Sequence, residues 1–332
     1  MMKLSLMRDV FTTVNSDWDC GLAADLASNW NHDETWIKMW RASANFICFI
    51  RNDGHHYVIR FNNDSERSLK RIDSEIKILH YLKSKNIRIA EPVLSGNKNY
   101  IERTNTAYGT FNTCVFERLS GKQYDIDDLK PDDFLTWGES LGKLHKAFKE
   151  MPADLQISRI SHVDLFEGYV KETLTADYVE LKEIEYLSNW LKKLKKNKDN
   201  YGLIHYDFEL DNIIWNEEGL HLIDFDDSIY SWYAADIVYA LRDLFDDGNE
   251  FKKDDEKFLS FIKGYRRENS ISEEELLEMP NFYRLHHFIT FKKLQRSVDI
   301  SICEDNPEWL NELIGKLTNM KTSYYRGLKM RQ

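Results

Sequence analysis

Along the first 125 residues the apolar positions change period several times. Trp18, Leu22, Leu26 and Trp30 recur at four-residue steps, which places them on one stripe of a helix that packs rather than targets. The period then falls to that of strands. Asn45-Phe-Ile-Cys-Phe-Ile and His56-Tyr-Val-Ile-Arg-Phe are β-rich runs, and the Asp53-Gly54 between them is a hairpin signal. From Ser65 to Lys83, Leu69, Ile72, Ile76, Leu79 and Leu82 return at three- and four-residue steps, predicting an amphipathic helix with Glu75 beside its apolar stripe. Two further runs, Ile89 to Leu94 and Cys114 to Leu119, read as strands, the second closed by Gly121. The expected order is strand, strand, helix, strand, strand, a small antiparallel sheet.

Beyond residue 125 the pattern is helical, notably over Phe134 to Phe148 and Leu181 to Leu194. At 332 residues the chain exceeds what one core usually supports. The expectation is an α+β fold in two lobes, a sheet lobe over residues 1–120 and a larger helical lobe over 121–332. The lysines from Lys192 to Lys198 complement the negative end of a helix and read as a solvated terminus.

Composition narrows the partners. A formal net charge of −11 opposes attraction to a nucleic-acid backbone or an anionic membrane and favours a cationic small molecule. The four cysteines, Cys20, Cys48, Cys114 and Cys303, lack the spacing of a zinc cluster or a disulfide framework. Neither a secretory leader nor a spanning apolar run of about 18 residues is evident, so a cytoplasmic location is expected. The oligomeric state is not legible.

Residues 203 to 226 carry the densest chemistry. Ile213 to Trp215 and Leu220 to Ile223 flank the turn residues Asn216 to Gly219, and folding a hairpin there brings Asn212 opposite residues 223 and 224. Asn212 and Asp224 then converge as oxygen donors suited to Mg²⁺, which binds one or two carboxylates and fills its shell with phosphate oxygens and waters. Asp207, five residues upstream of Asn212, lies near such a cation and suits the acceptance or orientation of a hydroxyl proton in phosphoryl transfer.

The whole pattern, His-x-Asp-x-x-x-x-Asn, an apolar hairpin and Ile-Asp-Phe, resembles the catalytic core of the aminoglycoside phosphotransferase and choline kinase-like family, which has the protein-kinase-like fold. The resemblance implies that Asp207 is the catalytic aspartate, that Asn212 and Asp224 hold magnesium, and that His205 structures the catalytic loop. Trp232-Tyr-Ala-Ala-Asp236-Ile resembles the family's next helix start, where Asp236 would brace that loop. Tyr206 departs from the pattern, since the family usually has glycine there. Asp226 and Asp227 either neighbour the metal or face the acceptor.

By the same resemblance Arg60 stands where the kinase fold places a lysine, and strand alternation puts Val58 on its face, an apolar ceiling for adenine beside a cation for phosphate. Glu75 is expected to pair with Arg60. Ser43 and Asn45 resemble the family's phosphate loop, and Phe116 to Leu119, with Glu117 and Leu119, its adenine hinge. Tyr230 and Trp232 are candidates for the acceptor site, while Tyr283, His286 and His287 read as the packing face of a helix. The expected activity is ATP- or GTP-dependent, magnesium-assisted transfer of the γ-phosphoryl group to a hydroxyl of a small molecule, an aminoglycoside or other amino alcohol. The alternatives are a pseudokinase without turnover and a Ser/Thr protein kinase of the same fold.

Overall fold

The computed structural model describes residues 1–33, 36–155, 157–172, 176–244 and 254–331. The chain divides into two compact units, one of Met1–Ile76, Ala90–Leu119 and Phe291–Ser323, the other of Lys77–Ile89, Ser120–Thr290 and Tyr324–Gln332. The Leu119/Ser120 break falls where the sequence changes from strand to helix period. The units are nevertheless not collinear with the chain, because residues 77–89 group with the second and 291–323 with the first.

The first unit begins with α1 (Leu4–Phe11) and α2 (Gly21–Ala27), followed by β1 (Ile37–Ala42), β2 (Phe46–Asn52), β3 (His55–Asn63) and α3 (Leu69–Ser84). β4 (Pro92–Val93), β5 (Glu102–Thr106) and β6 (Gly109–Glu117) complete an antiparallel sheet in the order β1-β2-β3-β6-β4, with β5 also on β6. The β2–β3 turn forms as expected: Asn52 pairs with His55, and both Asp53 and Gly54 have positive φ, 49° and 79°. These are the signs that a two-residue turn needs to match strand twist.

Several sequence expectations need correction here. Leu22, Leu26 and Trp30 are buried, but Trp18 is 58% exposed in a loop at φ 65°. Asn15 Oδ1 accepts from the amides of Asp17 and Asp19, and this side-chain turn interrupts the helix stripe. β1 and β5 lay outside the expected order; β5, Glu-Arg-Thr-Asn-Thr, has no apolar alternation to betray it. The run from Ile89 shrinks to Pro92–Val93, since Pro92 has no amide to donate and Ile89 bridges to Leu222 instead. The run at Cys114 belongs to the longer β6.

The second unit is built on α4 (Pro131–Lys149), α5 (His162–Glu172), α6 (Tyr178–Lys193), α7 (Tyr233–Ala240), α8 (Glu256–Glu268), α9 (Glu273–Leu277) and α10 (Met279–Ser297), the last residues of α10 grouping with the first unit. The long α11 (Glu308–Met330) is divided between the units at Ser323. α4 and α8 meet backbone to backbone: a Cβ on Gly138 would lie 2.0 Å from the Phe261 carbonyl oxygen, and one on Gly264 1.9 Å from that of Leu135. Only glycine permits that crossing. Two small ribbons hold the loop that follows: β7 (Tyr201–Ile204) pairs with β10 (Ile229–Trp232), and β8 (Ile213–Asn216) with β9 (Gly219–Leu222). Among the described residues no helix is long and apolar enough to cross a membrane.

Candidate active site

β7 delivers the chain to His205, and a buried carboxylate then fixes its path. Asp236, fully buried near the start of α7, accepts the backbone amides of His205 and Tyr206, both at 2.8 Å. It also meets His145 Nε2 at 2.9 Å. A carboxylate only accepts, so Nε2 donates; Nδ1 of the neutral ring then accepts from the Tyr265 hydroxyl at 2.8 Å, and Asn269 donates to that hydroxyl at 2.8 Å. Burial holds the His145 imidazole below its usual range against the opposing pull of Asp236. A polar chain from α8 and α4 thus terminates on the loop's amides.

Between those amides the backbone turns through Tyr206 at φ 74°, in the left-handed region. This is the position at which glycine is usual, and the reason is steric, since glycine alone enters that region without cost. Tyr206 offsets the strain by burying its ring against His162, Tyr239 and His286. His205 is fully buried; its Nε2 donates to the Ile223 carbonyl oxygen at 3.1 Å, and its Nδ1 accepts the Asp207 amide at 3.3 Å. One imidazole therefore ties the loop to the end of the hairpin.

That hairpin sets the next pair. Ile213 faces Leu222, and the Ile223 amide donates to the Asn212 carbonyl oxygen at 3.1 Å, so Asn212 lies across from residues 223 and 224. Asn212 is buried, and its Nδ2 donates to the Asp207 carbonyl at 2.9 Å and to Asp207 Oδ2 at 3.0 Å. Its amide nitrogen is thereby used, which leaves Oδ1 as the atom of that side chain suited to a cation. Asp224 follows at φ 59°, another left-handed turn. A neutral amide oxygen and a carboxylate at one hairpin end are a donor set that fits Mg²⁺.

Two residues absent from the sequence reading border Asp207. Arg242, just after α7, bonds Glu209 through Nη2 and approaches Asp207 Oδ1 with Nη1 at 3.8 Å. Burial and the neighbouring Asp207 push the Glu209 carboxyl up to about 8, with Arg242 opposing. Asp207 itself stays 34% exposed. An acid two positions after the aspartate and an arginine 35 further on carry no joint signal in the sequence.

Other candidates fall in different surroundings. Asp226 is buried, and Arg159 donates to its carbonyl oxygen at 2.6 Å and to that of Phe225 at 3.1 Å; Asp227 is half-buried beside it. Tyr230 pairs with Leu203 on the β10–β7 ribbon, and burial raises its phenol. Trp232 is a packing residue, 3% exposed, with its indole donating to the Lys195 carbonyl at 3.0 Å and its ring against Tyr201 and Phe282. That burial removes it from the acceptor candidates.

In the first unit Arg60 and Glu75 meet as expected, a two-pronged ion pair with Nη1 to Oε1 at 2.9 Å and Nη2 to Oε2. Their side chains are 6% and 1% exposed, and the guanidinium also lies 4.9 Å from the Phe116 ring centre. Val58 is half-buried between Phe49 and Phe116 on the neighbouring strands. Asn45 is buried and accepts from Asn62, and the Ser43 amide donates to the Asn45 carbonyl at 3.2 Å. The amide of Glu117 donates to the Glu91 carbonyl oxygen at 2.9 Å, and Leu119 is half-buried.

The chain is similar to proteins of known activity. An amicoumacin kinase of Bacillus subtilis (strain 168) is 26% identical over 299 residues, covering 86% of this chain and 88% of the relative. Two solved structures show the same fold: amicoumacin kinase hAmiN in complex with AMP-PNP, Ca²⁺ and Ami (TM-score 0.77, 23% identity, 94% of this chain and 93% of that one), and a microcompartment-associated aminopropanol kinase (TM-score 0.72, 18% identity, 92% and 94%). The protein-kinase-like fold read from the catalytic segment is therefore the fold of the chain. The model of the phosphotransferase enzyme family matches residues 42–268, a span that holds both the Arg60–Glu75 pair and the loop braced by Asp236, and the chain belongs to that family.

Proposed function

We propose that this phosphotransferase moves the γ-phosphoryl group of ATP to a hydroxyl of a small, amine-bearing molecule. The observation that carries the reading is the Asp207 carboxylate, held at Oδ2 by Asn212 on a loop locked by Asp236, yet open enough at 34% exposure to meet an acceptor. In that position Asp207 accepts and orients the hydroxyl proton as the oxygen attacks phosphorus. Asn212 and Asp224 would hold Mg²⁺, which when bound neutralises phosphate oxygens. Arg60, oriented by Glu75, supplies the cation for the nucleotide phosphates, and Val58 the apolar contact for its base.

The amine preference rests on charge and on relatives. The chain carries −11 overall, and a cluster of acids borders Asp207. The similar proteins include kinases of amicoumacin and of aminopropanol, and more distant structures of the same fold include a spectinomycin phosphotransferase and a choline kinase. The test is Mg-ATP consumption with a panel of 1-amino-2-propanol, ethanolamine, choline, spectinomycin and amicoumacin, each beside a non-amine alcohol of similar size. Phosphorylated product from at least one amine and none from its neutral counterpart is expected. Turnover of the neutral alcohols alone would remove the amine from the reading.

A further inference from the structure

The Glu209–Arg242 contact raises a geometric question that the reaction does not answer by itself. A guanidinium fork prefers to grip one carboxylate with two parallel N–H bonds, and Asp207 lies within reach. In the structure the fork does otherwise. Nη2 is taken by Glu209, Nε lies 3.9 Å from Asp243 Oδ1, and Nη1 stops 3.8 Å from Asp207 Oδ1. That last separation is too long for a hydrogen bond but short enough for charge attraction. Meanwhile Asp207 Oδ2 is engaged by Asn212 at 3.0 Å, so Oδ1 is the oxygen left facing the guanidinium rather than bonded to it.

We propose that Glu209 is a spacer: it holds the Arg242 guanidinium beside Asp207 but out of hydrogen-bond reach, keeping Oδ1 of that carboxylate available to the acceptor hydroxyl. This rests on the reading of Asp207 as the group that receives the acceptor. Glu209 is fitted to the task by its place in the loop. Its carbonyl oxygen accepts the Asn212 amide at 2.9 Å, so the backbone that presents its side chain is the same turn that presents Asn212 to Asp207. Its carboxyl group, 19% exposed, bonds the Arg242 guanidinium beside Asp207, whose charge and whose hydrogen bond with it add to burial in pushing that carboxyl up. Remove Glu209, and the fork has Asp207 as its nearest strong partner; a two-pronged grip there would occupy both oxygens and exclude the acceptor. Glu209 and Arg242 are thus positioning residues, acting through Asp207 without touching the reacting atoms.

The spacer makes a prediction that a merely structural pair does not. In the full chain, Glu209→Ala should lower kcat for Mg-ATP cleavage with water as acceptor by about 100-fold, the scale of a misplaced catalytic group, with KM for Mg-ATP kept. The double variant Glu209→Ala/Arg242→Ala, which removes the misplaced fork, should be faster than Glu209→Ala by about tenfold, a strong coupling. Glu209→Gln, which keeps the volume and one acceptor oxygen, should stay nearer to wild type than Glu209→Ala. A crystal structure of Glu209→Ala should show both Arg242 terminal nitrogens within hydrogen-bond distance of Asp207. A double variant no faster than Glu209→Ala, or an Arg242 that turns to solvent and leaves Asp207 unmoved, overturns the spacer. A wild type that cleaves Mg-ATP neither with water nor with any acceptor of the amine panel would instead sink the phosphotransfer reading, and the Glu209→Ala structure would still decide the position of Arg242.

Discussion

Two sites, one in each unit, treat charge in opposite ways. In the first, Arg60 and Glu75 are almost wholly buried and bonded prong to prong, an ion pair closed on itself. In the second, the carboxylate proposed to act, Asp207, stays partly exposed, held by a neutral amide and faced by a cation that stops short of it, while burial disfavours the charge of the His145 and His287 imidazoles, at His145 against the pull of Asp236. The difference teaches that burial of an ion is tolerated where a full partner satisfies it, and that a group required to receive a proton must be left with a lone pair unspent.

The largest effect should come from breaking the closed pair. Glu75→Ala strands the Arg60 guanidinium in the sheet and should cost about 3–5 kcal/mol in denaturant unfolding. A loss below about 1 kcal/mol would mean that the pair is solvated in solution and that the contrast between the two sites is false.

Next comes acid. Burial is the first cause pushing the His287 imidazole down to about 3, with the Arg331 charge adding to it, from an ordinary value of 6.5. The unfolded chain therefore binds more protons in that window, so the neutral ring's contribution is whole above pH 6.5 and is lost as pH falls toward 3. His287 Nδ1 is also buried without a hydrogen-bond partner, so a ring without nitrogens gives up nothing there. His287→Phe, still able to stack on Tyr324, should keep about 3 kcal/mol more of its neutral-pH stability than wild type at pH 4. Parallel acid unfolding curves for the two proteins would contradict this.

The last effect concerns the left-handed turn at Tyr206. Tyr206→Gly relieves the left-handed strain, worth about 1 kcal/mol, but forfeits a buried ring, worth about 3–5 kcal/mol. A net loss of about 2–4 kcal/mol is expected from thermal unfolding, and a stabilised variant would show that conformation outweighs packing at this position.

What the sequence disclosed and what it hid follow a physical line. The β8–β9 hairpin was legible because its turn chemistry is local, and Asn212 opposite residue 223 follows from strand pairing alone. Arg60 and Glu75 were legible because the segment resembles the kinase fold and the strand and helix periods gave each residue its face. Tyr206 marked itself as a departure, although only the backbone showed the departure to be one of φ. Arg242 and His145 were hidden because their partners lie 35 and 91 residues away and each sits in a run that reads as an ordinary helix surface or core. β5 was hidden because a strand of polar residues has no alternation to detect. Trp232 misled because an aromatic beside a catalytic segment looks the same in sequence whether it lines a site or fills a core.

The central claim is that Asp207 receives the acceptor in phosphoryl transfer, and Asp207→Asn tests it most directly, since the amide keeps shape and loses the proton-accepting charge. Product formation by the wild type and Asp207→Asn should be compared with Mg-ATP and the best acceptor of the amine panel. A fall in kcat of about 1,000-fold with unchanged Tm and Mg-ATP affinity is predicted. Equal turnover by the two proteins would contradict the account.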